Sequence, residues 1–196
     1  MSIKLLMEIN DNLIMATLFH REQSDLMTFL SLRGFSALHE YQNICESDIQ
    51  RRLKEFIIRT YCVAPLDFIP ESADVLKPLI DSKKRNELSK DKKCDIVKQA
   101  FDAYEKWETQ SLALYENVAK ELSNAGDIKA YSIVKNIVDD VAEELAMVND
   151  MINSYALMGW DMAQIVGEQN EIAEKYIYKM RKLYEGYPVL HHYNSL

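Results

Sequence analysis

Apolar residues return at three- and four-residue steps through five long stretches, the period of helices that each bury one face. The pattern predicts a first helix over about residues 3–32, with Leu6, Ile9, Leu13, Thr17, Met27 and Leu30 on its inner stripe. A second follows over about 36–61, through Leu38, Ile49, Leu53 and Phe56, with Ser36 placed to cap it. A third covers about 93–122 and a fourth about 127–157, the latter with Asp127 as its cap. A fifth, about 161–184, is amphipathic through Met162, Ile165, Ile172, Tyr176, Met180 and Leu183. Gly34, Gly126 and Gly159 mark the joints.

The links set the topology. Helices 1 and 2, and helices 3 and 4, are joined by short connections, which make antiparallel neighbours. Between helices 2 and 3 lies "CVAPLDFIPESADVLKPLIDSKKRNELSKDKK", which holds three of the four prolines. This crossover, about 63–92, can run the length of a bundle, because a helix of ~27 residues is ~40 Å long. The chain therefore reads as one all-α domain over 1–196. It has a four-helix bundle at about 3–157, a long crossover between helices 2 and 3, and a fifth C-terminal helix.

Composition narrows the function by exclusion. The 196 residues are 48% hydrophobic and 28% charged, enough for one packed core and unlike a disordered chain. Five glycines and four prolines are few for a protein of many tight turns. A net charge of −8 argues against a nucleic-acid binder and is compatible with cation handling. Cys45, Cys62 and Cys94 are widely spaced and form no CxxC, so neither a disulfide framework nor a zinc site is expected. No apolar run approaches the roughly 20 residues that cross a bilayer. Glu8 and Asp11 interrupt the apolar start, which does not read as a secretory signal. A cytoplasmic protein is expected, without nucleic-acid or membrane partners.

The acids carry the candidate chemistry. On the fourth helix the inner stripe Val134, Ile137, Val141, Val148, Met151, Tyr155 is interrupted by Glu144. On the third, the stripe Val97, Phe101, Tyr104, Ser111, Tyr115, Val118 is interrupted by Glu108. On the second, Gln42, Ile49, Leu53 and Phe56 flank Glu46. An isolated buried carboxylate protonates or takes a partner. A hard cation bound through oxygen offsets that cost, so three inward glutamates at one depth point to a metal site. The bland alternative places them at stripe edges, or paired with Arg51, Arg52 or Lys106. Asp139 reads as solvated, and Asp140 and Glu143, which flank Glu144, as surface acids able to form a second ring of oxygen ligands. Glu105, one turn before Glu108, reads as a surface acid on an adjacent face.

Three stretches now resemble one family. "GFSALHEYQNICESDIQRRLKEFI" resembles the second helix of ferritins, "YEKWETQSLALYENVAKELSNAGD" the third, and "GDIKAYSIVKNIVDDVAEELAMVNDMINSYALMG" the fourth with its terminal glycine. The resemblance, closest to bacterial non-haem ferritins, spans about residues 8–160 and implies a ferritin-like bundle. Ferritins oxidise ferrous iron at a di-iron site inside each bundle, so it implies iron as the bound metal and a ferroxidase-like reaction. Glu46 would take the place of the bridging glutamate. Glu108 and Glu144 would be the third- and fourth-helix ligands of the second iron; counting with a gap makes Glu105 the third-helix ligand instead. Asp140 and Glu143 fall where bacterial ferritins place an auxiliary iron site.

The departures are as informative. The family's first-helix glutamate falls on Ile14, the histidine after the bridging glutamate on Ile49, and the remaining auxiliary acid on Cys45. Isoleucine has no donor atom, so one iron position is expected to be lost, leaving an impaired or mononuclear site. The resemblance also implies a homo-oligomer, a dimer or a cage, although the fifth helix is longer than the short terminal helix usual in cage-forming members. The competing expectation is a ferritin-fold scaffold without metal. Among the histidines, His20 reads as satisfied or partly exposed rather than as a substitute ligand. His39 reads as outside, and His191 and His192 as part of the tail "YPVLHHYNSL". Trp107, Tyr104 and Tyr115 read as core rather than as a cofactor box, and no phosphate loop is present.

Overall fold

The computed structural model describes residues 1–65 and 85–185 and contains five long helices. These are α1 Ser2–Phe29, α2 Arg33–Tyr61, α3 Lys90–Asn124, α4 Ile128–Leu157 and α5 Met162–Glu185, with a 3-10 turn at Arg85–Glu87 before α3. The all-α expectation holds, and among the described residues there is no strand. Most of the crossover and the His191–His192 tail lie outside the described residues. No helix among the described residues is long and apolar enough to cross a membrane.

The same device ends α1, α3 and α4. A residue with positive φ follows the helix, and two backbone N–H groups turn back onto the last carbonyls. After α3 this residue is Gly126, after α4 it is Gly159, and after α1 it is Ser31. The first joint therefore falls at Ser31 and not at Gly34, which lies inside α2. Asp127 caps α4 as expected, by accepting from Ala130 N–H at 3.2 Å. Ser89 caps α3 through Lys92 N–H, which moves its start to Lys90.

Ser36 does not cap α2. Its hydroxyl is buried between Ser24 Oγ at 3.0 Å and Thr28 Oγ1 at 2.8 Å. The free donors at the start of α2 are met from a distance in sequence: Gln169 Oε1 accepts from Gly34 N–H at 2.9 Å and Phe35 N–H at 3.1 Å. A Cβ on Gly34 would stand 2.6 Å from the Gln169 carbonyl oxygen, so glycine is what lets α5 approach α2 here. From that anchor α5 runs parallel to α2 and antiparallel to α4. Tyr176 meets Tyr41 of α2 with ring centroids 5.7 Å apart, and its hydroxyl reaches Met147 Sδ of α4 at 3.1 Å.

Three apolar clusters fill the interior. One end holds Leu6, Ile9, Leu13, Leu53, Val118, Leu122 and Val134; the other holds Leu26, Phe35, Val97, Phe101, Tyr155 and Ile165. Phe19, Leu38, Tyr104, Val148 and Tyr176 form the third. Glu46, Glu108 and Glu144 interrupt the stripes between the first cluster and the third.

Candidate metal centre

The inward register of Glu108 and Glu144 brings their carboxylates together. Both lie on helix faces whose other members are Tyr104, Ser111 and Tyr115, or Val141 and Val148, and those residues are buried. The Glu108 side chain is 2% exposed and that of Glu144 9%. The third member is His20 of α1, wholly buried. His20 Nε2 stands 3.5 Å from Glu108 Oε1 and 3.7 Å from Glu144 Oε1. One donor atom from each of the three residues falls within 4.8 Å of the other two.

Hydrogen bonding around this cluster is lopsided. Tyr104 Oη donates a short hydrogen bond to Glu144 Oε1, and Gln42 Nε2 donates to Tyr104 Oη at 3.4 Å. By contrast, His20 Nε2 and Glu108 Oε1 have no hydrogen-bond partner although both are buried. Buried polar atoms are normally satisfied, so two such atoms 3.5 Å apart call for an explanation. Glu46 Oε2 is a third such atom.

Burial dominates the electrostatics. It pushes the Glu108 carboxyl up to about 8. It raises Glu144 as well; Glu108 adds to that rise, while His20 and Tyr104 oppose it. Glu46 is pushed well above the carboxylate range by burial, then by Glu144, Glu108 and Asp140. His20 goes the other way: burial lowers it to about 4, against the attraction of Glu144. The pocket thus favours neutral imidazole and protonated acids, the forms that a cation would displace toward carboxylate.

The sequence-predicted residues separate into two groups. Glu46, Glu108 and Glu144 all turn inward, although Glu46 is not one of the three residues whose donor atoms converge. Glu108, not Glu105, is the inward acid of α3; Glu105 is half-buried on the adjacent face. Asp140 and Glu143 are exposed. They share a groove of about 530 Å³ with Cys45, Glu46 and Glu144, overhung by Lys175 and Lys179 of α5. Arg51 and Arg52 both reach Asp48 on the surface, and Arg52 also lines the groove. Ile49 is buried, and Ile14 is half-buried beside Thr17, Leu18, Arg21 and Gln50. The wholly buried chain neighbour of Ile14 is Leu13, which likewise has no donor atom.

Two histidine expectations are overturned. His20 is neither exposed nor fully satisfied, and it supplies the nitrogen of the cluster. His39 is not outside: it is 1% exposed, and its Nδ1 lies 3.1 Å from His20 Nδ1. Both follow from the register of the α1–α2 hairpin. Asn10 meets Gln50, Thr17 meets Asn43 and His20 meets His39, pairs whose numbers sum to 59 or 60. Folding the sequence about residue 30 would have exposed that pairing. Counting helical turns from Ile14 along α1 alone does not. Tyr104 and Tyr115 are core residues as expected, and Tyr104 is in addition the hydrogen-bond donor to Glu144.

No family model and no curated protein sequence matches this chain. Solved structures do. An open-pore ferritin from the hyperthermophilic archaeon Archaeoglobus fulgidus superposes with a TM-score of 0.71 at 16% identity, covering 88% of this chain and 94% of that one. A closed form of the Archaeoglobus fulgidus ferritin, engineered by site-directed mutagenesis, gives 0.70 with the same identity and coverage. At that identity the likeness speaks for architecture alone, and it agrees with the order of the helices: the chain has the same fold as these two ferritin structures.

Proposed function

We propose that this protein binds a single iron ion inside its bundle, through His20 Nε2 and the carboxylates of Glu108 and Glu144. The observation that carries the reading is the convergence of three buried donors, two of them without hydrogen-bond partners. The donor set fits the ion. Ligands at ~2.1 Å from a metal sit ~3.0–3.6 Å apart at angles of 90–120°, close to the separations His20 makes here. One imidazole and two carboxylates suit a borderline divalent cation such as ferrous iron better than calcium or magnesium, which take oxygen alone. Bound iron would supply redox chemistry at this point; Tyr104 holds one Glu144 oxygen by donating to it. Glu46, with Asp140 and Glu143 along the groove, is assigned to carrying the cation between solvent and the buried site. Glu105 has no part in this reading.

Ferritin-type iron storage or detoxification is the biological role that accords with the fold, carried out by homo-oligomers in the cytoplasm. With Leu13, Ile14 and Ile49 where donors would be needed, the reaction is that of a mononuclear or impaired ferroxidase. Anaerobic titration with ferrous iron tests the site: one equivalent bound, and none after Glu144→Ala, is the expected result. Sedimentation velocity tests the assembly.

A metal-free scaffold is the competing reading. It is favoured by the His20–His39 and Tyr104–Glu144 hydrogen bonds, which satisfy part of the cluster without an ion. Purified protein that holds no metal, and takes none on titration, would establish it.

A further inference from the structure

The buried pair formed by His20 and His39 has a consequence for the metal site. Their Nδ1 atoms are 3.1 Å apart, the rings lie 29° from parallel, and both side chains are sealed from solvent. A contact between two ring nitrogens is a hydrogen bond only if one carries the proton and the other offers a lone pair. When both rings are neutral, there are two ways to arrange this. In one, His20 carries its proton on Nδ1 and leaves Nε2 with a lone pair. In the other, His39 is the donor and the His20 proton sits on Nε2, facing the carboxylates.

We propose that His39 is a positioning residue for the metal ligand: its Nδ1 accepts the Nδ1–H of His20 and holds His20 in the tautomer whose Nε2 lone pair is free to bind a cation. The inference rests on the metal reading of the His20, Glu108 and Glu144 cluster. Neither Glu108 nor Glu144 makes a hydrogen bond to His20 Nε2, although oxygens of both lie within 3.7 Å, and Nε2 is without a partner. A His20 proton on Nδ1 has an acceptor at 3.1 Å, whereas one on Nε2 has none in hydrogen-bonding geometry. The second nitrogen of a metal-bound histidine is commonly held by an acceptor that fixes both tautomer and ring angle. Carboxylates and carbonyls usually serve; here the acceptor is a second imidazole.

The packing holds His39 to this task. Its ring lies 4.8 Å from Tyr104, and Tyr104 also meets the edge of His20 at 5.3 Å. One aromatic side chain thus wedges both imidazoles, while its hydroxyl fixes Glu144. The pair joins α1 to α2, and Tyr104 ties both to the α3–α4 half of the bundle.

The experiment compares His39→Asn with His39→Leu. Asparagine can place an acceptor oxygen where Nδ1 of His39 stands; leucine has similar bulk and no acceptor. Anaerobic ferrous iron is the probe, titrated by calorimetry, with thermal melting as the folding control. We expect His39→Asn to bind within about 3-fold of wild type and His39→Leu to bind about 10- to 100-fold more weakly, the usual cost of losing such a partner. Wild-type affinity in His39→Leu, or equal losses in both folded variants, would overturn the role of His39. Nitrogen-15 spectra of the metal-free wild type give a readout that needs neither variant to fold. The His20 proton should reside on Nδ1, and finding it on Nε2 would overturn the inference. A wild-type protein that takes up no ferrous iron would instead overturn the metal reading itself, whatever the tautomer.

Discussion

Glu143 and Glu144 are chain neighbours on α4 that belong to two different environments. Glu144 points between the helices, accepts from Tyr104 and sits beside His20 and Glu108. Glu143 points outward into the groove with Asp140, under Lys175. Successive helix positions are rotated by about 100°, so one step in sequence separates a desolvated acid from a hydrated one. The inner cluster places ionisable groups where water cannot compensate them, and the outer groove keeps the same chemistry in contact with solvent. Buried acids are costly for folding and suited to holding a cation; exposed acids do neither strongly.

Metal affinity should separate the interior acids from the groove acids most strongly. Glu108→Gln and Glu144→Gln should each weaken ferrous-iron binding by on the order of 100-fold or more, beyond the loss expected for a supporting partner. Asp140→Asn and Glu143→Gln should change it by less than about 3-fold. Calorimetric titration distinguishes them, and equal losses from the two pairs would erase the distinction between interior and groove.

A second contrast is in stability without metal. Glu46→Leu removes a buried carboxyl oxygen that has no partner. Replacing such a group with an apolar one should stabilise the metal-free protein by ~1–3 kcal/mol, a rise of roughly 3–10 °C in Tm. Glu143→Leu, on the exposed side, should change Tm by no more than about 2 °C. Differential scanning calorimetry reads both.

The third contrast is pH. Glu108 is raised from 4.5 to about 8, so between those values the folded state keeps a proton that the unfolded chain has released. Stability of the metal-free protein from this group is therefore present at low pH and lost as pH rises toward 8. His20, lowered from 6.5 to about 4, acts oppositely, but only below about pH 6.5. Chemical denaturation between pH 6.5 and 8 should thus show falling stability. Glu108→Gln should flatten the slope, whereas Glu143→Gln should leave it. Iron binding should strengthen over the same range, because protons leave as the ion enters.

The smallest expected effect concerns the cover over the groove. Gln169→Ala removes the acceptor shared by Gly34 and Phe35 N–H, at a cost of ~1–2 kcal/mol. It should loosen α5 while leaving the affinity of the inner site within about 2-fold. Amide hydrogen exchange of α5, measured beside the iron titration, separates the two. A collapse of iron binding would mean that α5 shapes the interior as well as the groove.

Much of this architecture was legible in the residues. The apolar period locates five helices, Asp127, Gly126 and Gly159 mark their ends, and link lengths dictate which helices pair. Glu46, Glu108 and Glu144 announce themselves because each breaks an apolar stripe, a property of one helix read alone. The start of α2 was not legible, because its first donors are met by Gln169, far away in the chain. Nor was the imidazole at the site.

Periodicity, link lengths and local turn chemistry are enough to specify the helical fold, the pairing of helices and the inward direction of three acids. Which donors meet was settled by the packing of the helices against one another. It brought His20 rather than Glu46 into the three-residue cluster, stacked His39 behind it, and laid α5 along the acidic groove. The reason is physical: convergence of side chains depends on the register and axial offset between helices. Those are set by packing of whole faces, such as Phe19 and Tyr104 around the imidazoles, and not by any spacing within a single helix.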